Sequence, residues 1–189
     1  MILHLVRHPP PQVPPGTCYG QLDVPALDIK ASAERLRTLL PFDAPVYCSP
    51  LQRCRHLAEA LHPAPVIDAR LAEMHFGVWE GQTWEAIGVA ALDQWAADVA
   101  GFAPPGGENG QAVQARALDF LAGLAVEEAV LVTHAGVIRA LLAHWQGLPA
   151  SRWLELQFGF ASATKVDFSV APPQAGRTQS DGLQLLNVL

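Results

Sequence analysis

The chain has 189 residues, of which 50% are hydrophobic and 16% are charged, so its composition excludes a disordered protein and predicts one globular domain. The formal net charge of -6 argues against a nucleic acid or an anionic membrane bound by bulk charge. Three cysteines without metal-site spacing, and an N-terminus without a signal-peptide pattern, favour a reduced, cytoplasmic protein.

Strands and helices alternate in the first part of the chain. In order, we predict a buried strand at Ile2–Val6, a stiff Pro/Gly loop at residues 9–20, a helix at Ala31–Leu40 and a short strand at Pro45–Cys48. A helix then begins with Ser49 as N-cap, Pro50 in the first helical position and Gln52 completing a capping box.

The alternation continues to the end of the chain. The predicted elements are a helix at Trp84–Val99, a Gly/Pro loop at residues 101–110, a helix at Val113–Leu124, a buried strand at Val130–Val132, a helix at Val137–Trp145, and strands near Ala163–Val170 and Leu183–Leu189 around a turn-rich segment at 172–182. The pattern predicts an α/β fold with a mostly parallel central sheet flanked by helices on both faces. We expect a single domain, residues 1–189, with a lid-like insertion at about 74–110.

Polar side chains follow three of the predicted strands or open the helix after them. Arg7 and His8 end the first strand, Arg53 lies in the first turn of the helix after the second, and His134 follows Val130–Val132. The carboxyl ends of parallel strands are where open α/β sheets bind ligands. A cation at a helix N-terminus is unfavourable unless an anion lies beside it, so Arg53 indicates an anion site.

Each junction also has a plain structural interpretation. Arg7-His8 alone would be a surface dipeptide, Arg53 would pair with Glu59 or Asp68, and His134 would be a satisfied buried residue. Together, the two guanidinium groups match a phosphoryl group and the two imidazoles supply a nucleophile or further ligands. Acidic residues do not gather into a magnesium-type pattern and no Gly-rich loop with Lys is present, so we predict no metal and no cofactor.

Four motifs in order resemble those of the histidine phosphatase superfamily: Leu5-Val6-Arg7-His8, Ser49-Pro50-Leu51-Gln52-Arg53, Leu71 to Gly77 around Glu73, and Val132-Thr133-His134-Ala135-Gly136. Within that superfamily, residues 16–25, 73–81 and 104–108 are most similar to alpha-ribazole phosphatases of the cobalamin pathway.

The resemblance implies a role for each motif residue. His8 would be the nucleophile that becomes phosphohistidine, and Glu73 the general acid that later acts as base. Arg7, Arg53 and His134 would bind the phosphoryl oxygens. A loop that carries Tyr19 and Gly20 would border the substrate.

The chain also departs from the family pattern. Pro9-Pro10-Pro11 follows the nucleophile where the family usually has Gly, so backbone donors are lost there. Phosphoglycerate mutases of the superfamily typically carry Arg after the catalytic Glu, whereas here Met74 follows Glu73 and residues 74–110 contain no Arg or Lys. These features favour a phosphatase with a less acidic substrate. The aromatic residues of the insertion, which either stack on a flat substrate or pack the lid, are Phe76, Trp79, Trp84, Trp95 and Phe102.

The sequence therefore predicts a cytoplasmic, metal-independent phosphomonoesterase that acts on alpha-ribazole 5'-phosphate or adenosylcobalamin 5'-phosphate. Its partner would be a small-molecule phosphate ester, with no nucleic acid and no membrane. The alternatives are a histidine phosphatase for another small ester, such as a sugar phosphate or nucleotide, and a phosphoglycerate mutase. A non-catalytic phosphoprotein-binding module is the alternative from another class, and retention of both His8 and Glu73 argues against it.

Overall fold

A single six-stranded sheet organises the chain in the computed structural model, which describes residues 1–168 and the backbone of 186–188. The strands are β1 (Ile2–Arg7), β2 (Val46–Cys48), β3 (Val66–Ile67), β4 (Glu128–Thr133), β5 (Ala163–Asp167) and β6 (Leu186–Val188). Their order is β3-β2-β4-β1-β5-β6. The first four strands in this order are parallel to their neighbours, and β5 and β6 add antiparallel pairs at one edge. This confirms the predicted mostly parallel sheet.

In the described part of the chain, six α-helices accompany the sheet: α1 (Ile29–Arg37), α2 (Gln52–Leu61), α3 (Trp84–Ile87), α4 (Val89–Ala97), α5 (Gly110–Ala122) and α6 (Ala135–Gln146). Successive residues of a strand point to opposite faces, and both faces are covered. Leu5 and Leu131 pack in a core cluster with residues of α5 and α6, whereas Val6 and Val132 pack in a second cluster with α1 and α2. Helices on both faces are therefore confirmed.

The predicted capping box at the start of α2 is wrong. The helix begins at Gln52, and the residue before it, Leu51, has extended backbone angles of φ -68° and ψ 132°. Pro50 therefore precedes the helix instead of filling its first turn. The Ser49 hydroxyl accepts a weak hydrogen bond from the Leu51 N–H at 3.3 Å, and no side chain caps the helix.

Other boundaries differ from the predictions in smaller ways. The single helix predicted at Trp84–Val99 is two helices, because Gly88 has φ +90°, a conformation that side-chain-bearing residues rarely adopt. Strand β3 was not predicted, since it has two residues, both exposed. In the tail, β5 and β6 lie within the two predicted strands. The remaining predictions there, at 169–185 and 189, lie outside the described residues.

The segment predicted to be a lid carries a short 3-10 helix at Gly77–Trp79, followed by α3 and α4. Its aromatic rings pack on one another: Trp84 stacks on Trp95 at a centroid distance of 6.4 Å, and Phe76 meets both rings edge-on at 5.7 Å. The structure thus favours the packing role for these rings over stacking on substrate. No helix among the described residues combines the length and the apolar character needed to cross a membrane.

Candidate active site

The three strand-end junctions meet at one point because of the sheet register. Strands β1 and β4 are parallel with Arg7 opposite Thr133, so His8 and His134 each lie one residue beyond a strand end. The His8 N–H donates to the Thr133 carbonyl at 3.1 Å, and the two imidazole centroids are 5.1 Å apart. The start of α2 lies beside them, which brings Arg53 to the same edge of the sheet.

His8 is fully buried, and its neighbours define its protonation. Its Nδ1 lies 2.6 Å from the Pro9 carbonyl, which only accepts, so Nδ1 carries the hydrogen. The other nitrogen, Nε2, has no hydrogen-bond partner among the described residues. Burial, followed by the charges of Arg53 and Arg7, lowers the pKa of His8 from 6.5 to about 3. At neutral pH, His8 therefore presents an uncharged Nε2 with a free lone pair.

Arg53 is also fully buried, and its hydrogen bonds hold the loop that carries Gly20 and Leu22. Its Nη1 donates to the Leu22 carbonyl at 2.8 Å and its Nη2 to the Gly20 carbonyl at 2.5 Å. The buried Nε has no partner in the described part of the chain. The guanidinium carbon lies 5.0 Å from the centre of the Tyr19 ring.

The alternative ion pairs for Arg53 are not formed. Glu59 lies 3.7 Å from Arg55, and Asp68 lies 2.7 Å from Arg70. Arg53 therefore points its charge into the cluster at the sheet edge and not toward a carboxylate of its own helix.

Arg7 is covered by the loop that precedes β5. Its Nη1 donates to the Phe158 carbonyl at 2.5 Å, and its guanidinium carbon lies 3.7 Å from the centre of the Phe160 ring. The same ring is 5.6 Å from the His8 imidazole. The loop is held by a hydrogen bond of 3.1 Å from the Ala161 N–H to the His8 carbonyl. Phe160 thus covers both the guanidinium and the imidazole.

His134 is buried against Ser49, a residue that the sequence placed in the second motif and interpreted as an N-cap, with no predicted contact to His134. Its Nε2 lies 2.7 Å from the Ser49 hydroxyl and 3.4 Å from the Cys54 sulfur. Burial, together with the charge of Arg53, holds the pKa of His134 well below its ordinary value. His134 is therefore neutral, and Ser49 orients it. The signal for this role was the position of Ser49, directly after strand β2.

Glu73 reaches the site from the loop between β3 and α3. Its Oε1 accepts from the Met74 N–H at 2.9 Å and its Oε2 from the Gly136 N–H at 3.2 Å, two residues beyond His134. The Glu73 backbone carbonyl accepts from Gln21 Nε2 at 2.7 Å and from Arg116 Nη2 at 3.0 Å. Gln21, Arg116 and Gly136 were not predicted, because each acts on Glu73 from at least 40 residues away in the sequence.

Tyr19 and Gly20 lie at the border of the cluster. The Tyr19 ring meets the His8 imidazole edge-on at 6.2 Å, and burial raises the pKa of the Tyr19 hydroxyl. Gly20 has φ +36°, and a Cβ atom there would lie 2.3 Å from Oε1 of Glu80. A glycine is thus needed for this loop to lie against Glu80 while its carbonyl binds Arg53.

The structure brings all five predicted phosphate-site residues together: Arg7, His8, Arg53, Glu73 and His134. Within the described ranges, no group of three or more His, Cys, Asp or Glu side chains is arranged to hold a metal ion. The cluster combines one neutral imidazole nitrogen with two guanidinium groups. This arrangement can hold a tetrahedral anion next to an imidazole nitrogen that has a free lone pair.

Comparisons with known proteins point to the same chemistry. The model of the histidine phosphatase superfamily (branch 1) matches residues 3–179. A glucosyl-3-phosphoglycerate phosphatase from Mycolicibacterium vanbaalenii is 34% identical over 95% of this chain and 86% of its own length. An adenosylcobalamin/alpha-ribazole phosphatase from Escherichia coli is 33% identical over 79% of this chain and 81% of its own.

Solved structures resemble this chain over most of its length. The native structure of a mycobacterial glucosyl-3-phosphoglycerate phosphatase has a TM-score of 0.78 at 29% identity, covering 98% of this chain and 97% of that one. The same enzyme complexed with VO3 has a TM-score of 0.77 at 31% identity, over 88% and 92% of the two chains. A protein from Thermus thermophilus has a TM-score of 0.75 at 36% identity, over 89% and 94%.

Proposed function

Because this chain belongs to the histidine phosphatase superfamily (branch 1), we propose that it hydrolyses a small phosphate ester through a phosphohistidine formed on His8. The observation that carries the proposal is the state of that side chain. The Pro9 carbonyl holds the hydrogen on Nδ1, and Nε2 is uncharged and without a partner in the described structure. A neutral imidazole nitrogen of this kind is a nucleophile for phosphorus.

In the first step, Nε2 attacks the phosphorus atom while the bond to the ester oxygen breaks. Arg7, Arg53 and His134 hold the non-bridging oxygens, whose charge is best matched by guanidinium groups. Attachment of phosphorus gives the imidazole ring cationic character, which the hydrogen bond from Nδ1 to the Pro9 carbonyl stabilises. Glu73 in its protonated form gives its proton to the departing alkoxide.

In the second step, water attacks the phosphorus of the phosphohistidine. The Glu73 carboxylate accepts a proton from that water, the nitrogen–phosphorus bond breaks, and His8 returns to its neutral form. Both steps use one carboxyl group in opposite directions, which requires it to stay in one place. Two backbone N–H groups, of Met74 and Gly136, support that placement.

Two classes of substrate have support from relatives. The sequence predicts alpha-ribazole 5'-phosphate, and the name of the Escherichia coli relative supports that expectation. The glucosyl-3-phosphoglycerate phosphatase matches a larger share of this chain, which favours another small phosphate ester, such as a sugar-linked or three-carbon acid phosphate. We propose the latter class as the substrate and keep alpha-ribazole 5'-phosphate as the second candidate.

A panel of esters tests this assignment. Release of inorganic phosphate is measured as kcat/KM for glucosyl-3-phosphoglycerate, 3-phosphoglycerate, alpha-ribazole 5'-phosphate, glucose 6-phosphate and AMP, with His8→Asn as the inactive control. We expect the highest value among the sugar-linked and three-carbon esters. Preference for alpha-ribazole 5'-phosphate would favour the second candidate, and isomerisation of 3-phosphoglycerate without net hydrolysis would indicate a mutase. Binding of a phosphopeptide without turnover of any ester would point to a non-catalytic module.

A further inference from the structure

A cavity of about 80 Å³ lies against Glu73. Its wall is mostly apolar and aromatic, with Phe76, Trp95 and Trp153 among the lining residues. Ala135 and Gly136, which follow His134 at the start of α6, complete the side nearest the catalytic cluster. The group that Glu73 protonates is the leaving oxygen, so this cavity adjoins the place where the leaving group departs.

One cation lines the cavity, and it comes from α6 and not from the predicted lid. Arg139 follows Gly136 by three residues, so the two lie on the same face of the helix. Its Nε donates to the Leu156 carbonyl at 3.2 Å, and no described Asp or Glu lies within ion-pair distance of its guanidinium. Burial lowers the pKa of Arg139. The charge of Glu73 acts in the opposite direction, but no carboxylate among the described residues forms an ion pair with Arg139. A largely buried guanidinium without such direct contact is costly, and a bound anion would offset that cost.

Glu73 does not serve as that partner although it lines the same cavity. Both of its oxygens accept backbone N–H groups, from Met74 and Gly136, and it makes no ion pair with Arg139. Both groups line the cavity without an ion pair between them, although the charge of Glu73 is felt at Arg139.

A second donor in the wall is also unused. The indole Nε1 of Trp95 is buried and has no hydrogen-bond partner among the described residues. An indole N–H only donates, so it requires an acceptor. A buried donor without a partner is rare in folded proteins, and a ligand oxygen would satisfy it.

We propose that this cavity binds a carboxylate of the leaving group, with Arg139 as the cationic donor and Trp95 as a second donor. The proposal deepens the proposed function and rests on it. Because Glu73 lines the cavity, a carboxylate bound there belongs to the part of the leaving group next to the ester oxygen. The absence of Arg and Lys from the lid predicted a less acidic substrate, whereas this proposal assigns a substrate that carries a carboxylate.

Two esters of the same carbon skeleton test the proposal. 3-Phosphoglycerate carries a carboxylate where glycerol 3-phosphate carries a hydroxymethyl group, and kcat/KM is measured for both. We expect the wild-type protein to prefer 3-phosphoglycerate by at least about tenfold, because the ester without a carboxylate leaves the Arg139 guanidinium without an anionic partner. Arg139→Gln should abolish that preference while changing kcat/KM for glycerol 3-phosphate less than about threefold. Trp95→Phe, which removes the N–H donor and keeps a smaller aromatic ring, should reduce the preference partly.

Arg55→Gln, on the exposed side of α2, is the matched control and should keep the wild-type ratio. A wild-type protein without preference, or equal loss for both esters in Arg139→Gln, would overturn the carboxylate assignment. If both esters still phosphorylate His8 in that case, the proposed function stands and only this inference fails. If no ester of the wider panel is hydrolysed and none labels His8, the proposed function itself fails. Should Arg139→Gln not fold, the wild-type ratio and Trp95→Phe still decide the outcome.

Discussion

Gly136 holds the Glu73 carboxyl group in place. Its N–H donates to Oε2 at 3.2 Å, and a Cβ atom on Gly136 would lie 2.2 Å from Oε1. That distance is far below any ordinary contact, so a side chain at this position and the observed carboxyl placement exclude each other. The residue two positions after His134 thus fixes where the Glu73 carboxyl group lies, the group that we propose as the proton donor.

Gly136→Ala should therefore slow turnover without unfolding the protein. We expect kcat to fall about 10- to 100-fold, because general acid catalysis contributes about 10²- to 10⁴-fold and a displaced carboxyl loses part of it. Steady-state kinetics with circular dichroism as the folding check measure the effect. Gly123→Ala is the matched control, since the nearest atom to a Cβ there is 3.5 Å away. Unchanged kcat in Gly136→Ala would mean that Glu73 is not the proton donor.

Arg53 should support both stability and anion binding. In Arg53→Lys the planar fork that binds the Gly20 and Leu22 carbonyls is lost, at a cost of about 1–3 kcal/mol in the free energy of unfolding. Vanadate should raise the melting temperature of the wild-type protein and leave that of Arg53→Lys almost unchanged. Arg55→Lys, on the same helix, should respond to vanadate as the wild type does. Equal stabilisation of all three proteins would place the anion elsewhere.

Phe160 should control access to His8. It lies 3.7 Å from the Arg7 guanidinium carbon and 5.6 Å from the imidazole, which has no exposed surface. Phe160→Ala should therefore speed the reaction of His8 with diethyl pyrocarbonate several-fold. Peptide mass spectrometry measures the rate and distinguishes His8 from the other six histidines. Phe42→Ala removes a ring that is 95% exposed and should change nothing. The same rate in all three proteins would show that the ring does not limit access.

The pH dependence of stability follows from the buried imidazole. The pKa of His8 is about 3 in the folded chain against an ordinary 6.5, so between these values the unfolded chain binds more protons. The free energy of unfolding should thus be fully retained above pH 6.5 and fall as the pH drops toward 3, with a slope of up to about 1.4 kcal/mol per pH unit from this group. Urea titrations at pH 5 and pH 7 measure the slope.

His8→Asn should reduce that slope, and the part that remains comes from groups such as His134, whose pKa is also lowered by burial. His56→Asn, a substitution on α2 outside the cluster, should leave it as in the wild type. A slope that is the same in all three proteins would contradict a neutral, buried His8.

The sequence predicted the features that depend on residues close together in the chain. Buried strand runs such as Val130–Val132 and the residues that end them are read from neighbours in the chain, so the sheet and the convergence of His8 with His134 followed. The capping box failed because Leu51 is extended, so that Pro50 lies before the helix. Local propensity favoured a cap that the tertiary structure did not use.

The residues that support His134 and Glu73 could not be predicted from the sequence, for a different reason. Ser49 touches His134 across 85 residues, and Arg116 holds the Glu73 carbonyl across 43. Arg139 reaches the cavity beside Glu73 from a helix that was predicted without any role for this residue. Such contacts depend on the folded path of the chain and leave no periodic or spacing signal. They can be found only once the strands are in register.

The most direct test of the proposed mechanism is the chemical identity of the intermediate. The protein is mixed with 32P-labelled 3-phosphoglycerate or alpha-ribazole 5'-phosphate, quenched within milliseconds, and divided between acid and alkaline treatment. We predict a phosphoryl group on His8 that is lost in acid, survives in alkali, and is absent from His8→Asn. Label that is stable to acid, or that persists on His8→Asn, would contradict the phosphohistidine mechanism.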